Sequence, residues 1–578
     1  MAKLQIDIDS VPFSRRGSYL AFRRMQATDR TPVGLYLRSV DSGSAGHDRL
    51  LLVEVVRSGR TLRFDVQASA TVMRLRSAAG WAEICFASPE DIRLRGKGIA
   101  LRVSQDWTSN AVTIPGPEDQ WRFIAGITGT KLLFTALSGS LSVNAPWIIA
   151  APSEKGPPPR HENPRFAATF APATEGGKFE GNIHAYRSEP ARRRSFVGFG
   201  DCLREVEADW QDWLGRTPAV PRKYASARKL AAYTCWSSMV NPRGNFDRRL
   251  MLMSKNAMAA CWPWDACFNA MALARTAPKV AWDQFTYHLE MQDADGAVPD
   301  KVSSREAVWS FTKPPVHGWI LRWMMKRSSI ATPRRLERLY QLLAKATQWW
   351  LNYRDDGRTG LCQYHHGNDC GWDNATTFDA GLPLRAADLA AWLAIQMDVL
   401  AEIARRIGRS ADQRKWRAKS RRMIKTMMKL WRDGKFVALY GPSGQVAGGE
   451  LSLFNYVPIV LGERLSPQVA AKMAADLKRE GFLLTEHGLA TESPASPHYC
   501  GNGYWRGPIW APSTMIMVDG LSRAGEHAFA KDLARRFCDM CAANGFAENY
   551  NAISGEGLCD PAYTWTASVF LVLAHEYL

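Results

Sequence analysis

The stretch RAADLAAWLAIQMDVLAEIARRIG, residues 385–408, decides the fold class of this 578-residue chain. Its apolar residues return with the period of a helix and its charges gather on the remaining positions. The same period runs outward in both directions. Toward the N-terminus it recurs in PRRLERLYQLLAKATQWWLNYR (333–354), PVHGWILRWMMKRS (315–328), WDACFNAMALAR (264–275), RKYASARKLAAYTCWSSMV (222–240) and DCLREVEADWQDWL (201–214). Toward the C-terminus it recurs in SADQRKWRAKSRRMIKTMMKLW (410–431), PQVAAKMAADLKREG (467–481), GPIWAPSTMIMVDGLSRAG (507–525), EHAFAKDLARRFCDMCAANG (526–545) and YTWTASVFLVLAHEYL (563–578). About a dozen amphipathic helices from residue 205 onward predict an all-α domain over 205–578.

The character changes upstream. RLLLVEVVRSG (49–59), RLRSAAGWAEICFAS (74–88), DIRLRGKGIALRVS (91–104) and TKLLFTALSGSLSV (130–143) alternate or are β-branched, with Gly, Ser and Asp at short intervals. They predict an antiparallel β-sandwich domain over 1–200. A Pro-rich linker, APSEKGPPPRHENP, is expected at about 151–165, and GNIHAYRSEP (181–190) is expected to add a last strand. Two domains also fit the length, which exceeds what one core usually serves.

Composition narrows the function. The formal net charge is +18, but the basic residues are dispersed among acids on predicted helices. No basic run interleaves with aromatics, so nucleic acid is not an expected partner. No stretch of 18 uncharged apolar residues occurs and the start lacks an apolar leader, so neither a membrane nor export is expected; the cytoplasm is. Eleven irregularly spaced Cys argue against a disulfide framework, and Cys538 and Cys541 form a C-x-x-C within a helical run with no second pair.

The 22 Trp crowd after residue 200, many of them in loops between helices: CWPWD (261–265), CGWD (370–373), YWRGPIW (504–510) and YTWTA (563–567). Indoles at these places are either core or platforms for the C–H face of a pyranose. The same loops hold acids. Asp373 lies beside Trp372 in CGWDNATTF, where burial would raise a carboxyl pKa. Asp265 in CWPWD reads either as the N-cap of the helix that follows or as a binding residue. Helical hairpins whose loops meet at one end would gather these groups around one pocket.

In chain order the motifs WPWD (262–265), QDADGAVP (292–299), TKPP (312–315), GWDNA (371–375), YWRGPIW (504–510) and ENY (548–550) resemble glycoside hydrolase family 63, which shares its clan fold with the trehalases. The resemblance runs from Trp262 to about Thr566. It implies an (α/α)6 barrel, inversion at the anomeric carbon, general acid Asp373 and general base Glu548. It also implies a carbohydrate substrate held by Trp264, Asp265, Gln292, Asp295, Lys301, Trp372, Trp505, Arg506 and Trp510. Two departures stand near the pocket. Family members often have Glu-Ser where this chain has Asp369-Cys370, and many have Gln where it has Lys313. Some relatives carry calcium in a loop comparable to RDDGRTGL (354–361), but the stretch lacks a full oxygen-ligand set; no metal ligands are assigned and no cofactor is expected.

Two carboxyls on opposite faces of a sugar are what glycoside hydrolysis requires, one protonated and one ionised beside a water. Together with what the resemblance implies, the expectation is an inverting, exo-acting α-glucosidase. The alternatives are a trehalase or a mannosylglycerate- or glucosylglycerate-type hydrolase, for which the basic balance and Lys313 suit an anionic aglycone. A phosphorylase or a silent sugar-binding protein fits the acid pair less well.

Overall fold

The computed structural model describes residues 4–41, 49–105, 111–117, 120–126, 128–150, 160–162, 165–190 and 195–578. The chain divides into two compact units. The first holds Met1–Gly215, Tyr233–Ala259 and Ser303–Arg305; the second holds Arg216–Ala232, Ala260–Val302 and Glu306–Leu578. Most of the linker expected at about 151–165 lies outside the described residues.

The first unit contains β1 (Leu20–Met25), β2 (Gly34–Ser39), β3 (Arg49–Arg57), β4 (Arg60–Leu62), β5 (Asp65–Ala68), β6 (Met73–Ser77), β7 (Gly80–Phe86), β8 (Asp91–Lys97) and β9 (Ala100–Gln105). It continues with β10 (Ala111–Pro115), β11 (Trp121–Ala125), β12 (Thr130–Ser138), β13 (Ser140–Asn144), β14 (Ile148–Ala150), β15 (Arg160–Glu162), β16 (Phe166–Ala171), β17 (Lys178–Tyr186) and helix α1 (Phe199–Gly215). One sheet runs β1-β2-β3-β9-β16-β13 with β4 on β3; the other runs β10-β11-β12-β17-β8-β7-β6-β5. Alternate residues of β9 and β16 are buried, as a strand with one covered face requires. Ring pairs join the two inner faces, among them Phe123–Phe166 at 4.6 Å and Phe134–Phe166 at 5.4 Å. The antiparallel sandwich is as expected, and β17 is the added last strand.

The periodic pattern does not reveal that residues 233–259 return to this unit. The Lys255 ammonium is buried there, donating to Ser14 Oγ at 3.0 Å and to the Ser18 carbonyl, while Arg38 donates to the carbonyls of Lys255 and Asn256 at 2.8 and 2.7 Å. Burial pushes the Lys255 pKa well down.

The second unit is the (α/α)6 barrel. Helix α2 (Ala225–Ser238) straddles the two units, followed by α3 (Pro263–Leu273), α4 (Pro278–Glu290), α5 (His317–Met325), α6 (Pro333–Tyr353), a one-turn α7 (Gly367–Cys370), α8 (Ala387–Arg406) and α9 (Ser410–Met427). Then come a 3-10 segment (Leu453–Arg464), α10 (Pro467–Lys478), α11 (Ala511–Arg523), α12 (His527–Asn544) and α13 (Thr564–Glu576). The inner ring closes in the order α3, α5, α8, Leu453–Arg464, α11, α13 and back to α3. Inner helices are covered on all sides: every residue of α3 is buried. The outer α6, α9, α10 and α12 bury one stripe only.

The inner ring packs closely. A Cβ on Gly318 of α5 would lie 2.4 Å from Gln396 Cα of α8. Gln396 is satisfied there, accepting from Gly318 N at 3.2 Å and donating to Thr347 Oγ1 at 2.9 Å. The periodicity reading omits α4 and the inner segment Leu453–Arg464. Pro458 and Gly462 (φ 55°) break the helical period in the latter, and tertiary burial holds it in 3-10 form. Among the described residues no helix is long and apolar enough to cross a membrane.

Candidate active site

Asp373 stands on the loop after α7. His366 caps that turn, its Nδ1 accepting from Asn368 N at 3.1 Å, and Gly371 leaves it in the left-handed region at φ 76°. Only glycine fits twice here. A Cβ on Gly371 would lie 2.5 Å from the Trp264 ring, and one on Gly367 would lie 2.0 Å from the Asp373 carbonyl oxygen. Asp369 anchors the loop from below. One of its oxygens accepts from Thr312 N at 3.1 Å; the other accepts from His365 N at 2.9 Å and from Arg354 at 2.8 Å. The acid that replaces Glu of the resembled motif is thus a buried structural carboxylate.

Asn374 fastens the same loop to YWRGPIW. Its Oδ1 accepts from Trp505 N at 2.9 Å and its Nδ2 donates to the Gly503 carbonyl at 3.0 Å. Arg506 donates to the Asn374 carbonyl at 2.7 Å and pairs with Asp379, so it clamps the loop.

Glu548 is buried, just before a short strand (Asn549–Tyr550) that pairs with Ile509–Trp510 and Gly557–Leu558. Its Oε1 accepts from the Tyr504 hydroxyl at 3.2 Å and its Oε2 from Asp560 N at 3.4 Å, while its own N–H donates to the Asp560 carbonyl at 2.7 Å. Tyr504 is held at φ 62°, a conformation that non-glycine residues seldom adopt, and its carboxylate bond accompanies that strain.

Asp265 is not the N-cap of α3. Trp262 occupies that position, and Asp265 sits in the first turn with its Oδ1 accepting from Tyr563 at 3.2 Å. Lys313 supplies the cation of the group, 2.7 Å from Asp300 Oδ1 and donating to the Asn368 carbonyl at 2.7 Å.

Electrostatics joins these groups into one cluster. Burial raises the Asp373 pKa and Asp300 raises it further, while Lys313 and His366 oppose the shift. Burial, then the charges of Asp560 and Asp373, push Glu548 up to about 7, against the bonds from Asp560 N and Tyr504. Burial also raises Asp265 strongly; Lys313 opposes and Glu548 adds. Of the two acids singled out from sequence, Asp373 is thus among the charges that raise Glu548.

The indoles form a packed floor under the acid and base loops. Trp505 stacks on Trp510 at 4.1 Å with planes 4° apart, lies 4.7 Å from Trp372 and 6.0 Å from Trp264, and Trp264 meets Trp565 edge-on at 5.5 Å. All are buried. Gln292 spends its amide on the carbonyls of Leu289 and Leu342 at 2.6 and 3.1 Å. Asp295 is exposed, and Lys301 pairs with Glu306 at 3.0 Å. None of these three has a described bond to the acid cluster. Their neighbour Asp300 does enter it through Lys313. The Asp355 oxygens accept from Thr359 N and Gly360 N, closing a turn.

Residues 258–566, more than half of the chain, match the family described as the mannosylglycerate hydrolase MGH1-like glycoside hydrolase domain. The chain belongs to this family. It is a glycosidase with a family 63-like fold, as the motif order implies. Similar proteins include a mannosylglycerate hydrolase of Rubrobacter radiotolerans, 23% identical over 408 residues that cover 54% of this chain and 90% of that one. A glucosylglycerate hydrolase of Mycolicibacterium hassiacum is 22% identical over 403 residues, with 54% and 90% covered. The crystal structure of a family 63 mannosylglycerate hydrolase from Thermus thermophilus, in complex with Tris and D-glycerate, superposes with a TM-score of 0.53 at 19% identity; 60% of this glycosidase and 99% of that chain are covered.

Sequence reasoning missed Asp300, Tyr504, Asp560 and Tyr563. Asp300 lies at the bend just before the strand Lys301–Val302 and pairs with Lys313, while Lys301 turns to Glu306. Tyr504 and Tyr563 stood in quoted motifs, but nothing in a phenol's sequence context says that its hydroxyl meets a carboxylate.

Proposed function

We propose that this glycosidase hydrolyses a small α-glycoside of an anionic aglycone, of the mannosylglycerate or glucosylglycerate type, with inversion. Asp373 protonates the leaving oxygen and Glu548 activates water from the other face of the sugar. The observation that carries this reading is the placement of Lys313 and His366 beside Asp373. The aglycone departs on the side of the acid, where Lys313, shared with Asp300, and a His366 N–H donor favour a negatively charged leaving group. His366 accepts at Nδ1, which leaves its Nε2–H to donate. The names of the relatives point the same way and favour this substrate class over the simple α-glucoside.

In the reaction a raised pKa lets Asp373 keep its proton, and the Tyr504 and Asp560 donors orient Glu548 toward a water. Asp265, held by Tyr563, grips sugar hydroxyls, and that grip counts most as the ring flattens toward the oxocarbenium-like transition state.

The test is a comparison of kcat/KM for α-mannosylglycerate, α-glucosylglycerate, the matching glycosylglycerols and trehalose. The reading expects at least one glycerate to exceed its neutral glycerol analogue by tenfold or more. Equal turnover of the neutral analogue, or preference for trehalose, would overturn it.

A further inference from the structure

The outward face of β6, β7 and β8 on the sandwich groups basic side chains around an indole. Register places two cross-strand rows side by side. One row is Arg74, Glu83 and Arg95; the next is Arg76, Trp81, Lys97 and, on β17, Lys178. The first row neutralises itself in part: Glu83 lies 2.6 Å from Arg74 and 2.7 Å from Arg95. The second row carries one acid, Asp65 on β5 opposite Arg76, and stays net positive. Arg76, Lys97 and Lys178 are exposed, and none has an ion pair among the described residues. Arg76 and Lys97 flank one half-buried indole directly, and Lys178 lies one strand beyond Lys97.

The indole is held in place. The Arg95 guanidinium sits between the Phe199 ring at 4.3 Å and the Trp81 ring at 5.9 Å, with Glu83 fixing its orientation. The β6–β7 turn, Ser77–Gly80, is pressed against β8: a Cβ on Gly80 would lie 2.1 Å from the Lys97 carbonyl. A cavity of about 790 Å³ opens over this face, lined by Arg74, Arg76, Trp81, Glu83 and Arg95 together with the turn. That volume falls in the range of small-ligand sites, ~300–1,000 Å³.

An ordinary solvent face of a sheet alternates charges so that they cancel, as the Arg74 row does. The Trp81 row instead combines a flat apolar platform with three cations against the single acid Asp65. A pyranose ring covers an indole face through its C–H groups, and a carboxylate on that ring would reach the flanking cations. We propose that the Trp81 face of the β-sandwich is a non-catalytic binding site for an acidic oligosaccharide, one whose sugars carry carboxylates.

The full-length protein is titrated calorimetrically with trigalacturonate at low salt, with maltotriose as the neutral sugar and triglutamate as the anion without a sugar ring. Trigalacturonate is expected to bind at least tenfold more tightly than either control. Trp81→Ala and the exposed double variant Arg76→Gln/Lys97→Gln are each expected to weaken it fivefold or more with an unchanged circular dichroism spectrum, and Asp373→Asn to leave it as in the parent. Equal binding of triglutamate would reduce the site to unspecific charge and overturn the proposal. So would equal binding of maltotriose, undiminished binding by the double variant, or loss of binding in Asp373→Asn, which would move the ligand to the catalytic cluster.

Discussion

The Tyr504 hydroxyl donates to Glu548 Oε1 at 3.2 Å from a backbone held at φ 62°. A bond from a neutral donor favours the ionised carboxyl, so this tyrosine works against burial and the Asp560 charge, both of which favour the protonated form. Tyr504→Phe removes the donor. A hydrogen bond to a charged group contributes about 1.5–3 kcal/mol, and ~1.4 kcal/mol is tenfold in rate. Steady-state assays should show kcat/KM reduced about tenfold or more, with its acidic limb moved to higher pH.

The pH profile follows from Glu548. Its pKa is raised to about 7, so below that pH it carries a proton and cannot act as a base. The kcat/KM profile should fall on the acidic side of about pH 7. Asp560→Asn removes a like charge that raises Glu548, while the backbone donor of residue 560 stays. That variant should shift the limb to lower pH. A limb that stays put would separate Asp560 from the titration.

The two acids should separate by leaving group. Asp373→Asn and Glu548→Gln each lower kcat on a glycoside by on the order of 10²–10⁴-fold, the usual share of general acid–base catalysis. A glycosyl fluoride needs little protonation of its leaving group. Asp373→Asn should therefore recover much of its activity on the fluoride, and Glu548→Gln should not. Recovery in both or in neither would break the role assignment.

The acid loop rests on Asp369 and Gly371. Arg354→Met leaves Asp369 buried beside its two backbone donors without a countercharge, and breaking such a pair costs about 3–5 kcal/mol. Urea unfolding should report a loss of this order. Gly371→Ala meets both the φ of 76° and the Trp264 ring at 2.5 Å, so it should lower kcat more than it raises KM, because it displaces Asp373 relative to the sugar.

The all-α character of the second unit was legible because helical periodicity survives in almost every helix from residue 205 onward, and the barrel followed from the family resemblance. Where Pro458 and Gly462 interrupt it, the inner segment Leu453–Arg464 disappeared from view. The return of residues 233–259 to the sandwich unit was hidden for another reason: it rests on long-range bonds, such as those of Lys255 and Arg38, between residues more than 200 apart in sequence. Within the site, Asp373 and Glu548 were singled out through the resemblance of ordered motifs, and both prove to be buried carboxyls with raised pKa values. The phenols and Asp300 were not, since their roles arise only when separate loops converge. Asp265 read as an even choice between cap and ligand; the structure gives the cap to Trp262.

The most direct measurement is proton NMR of the sugar released from an α-glycosylglycerate during the first minutes of turnover, before mutarotation. Asp373 and Glu548 acting from opposite faces predict that the β-anomer appears first. First appearance of the α-anomer, or no sugar released, would contradict the account.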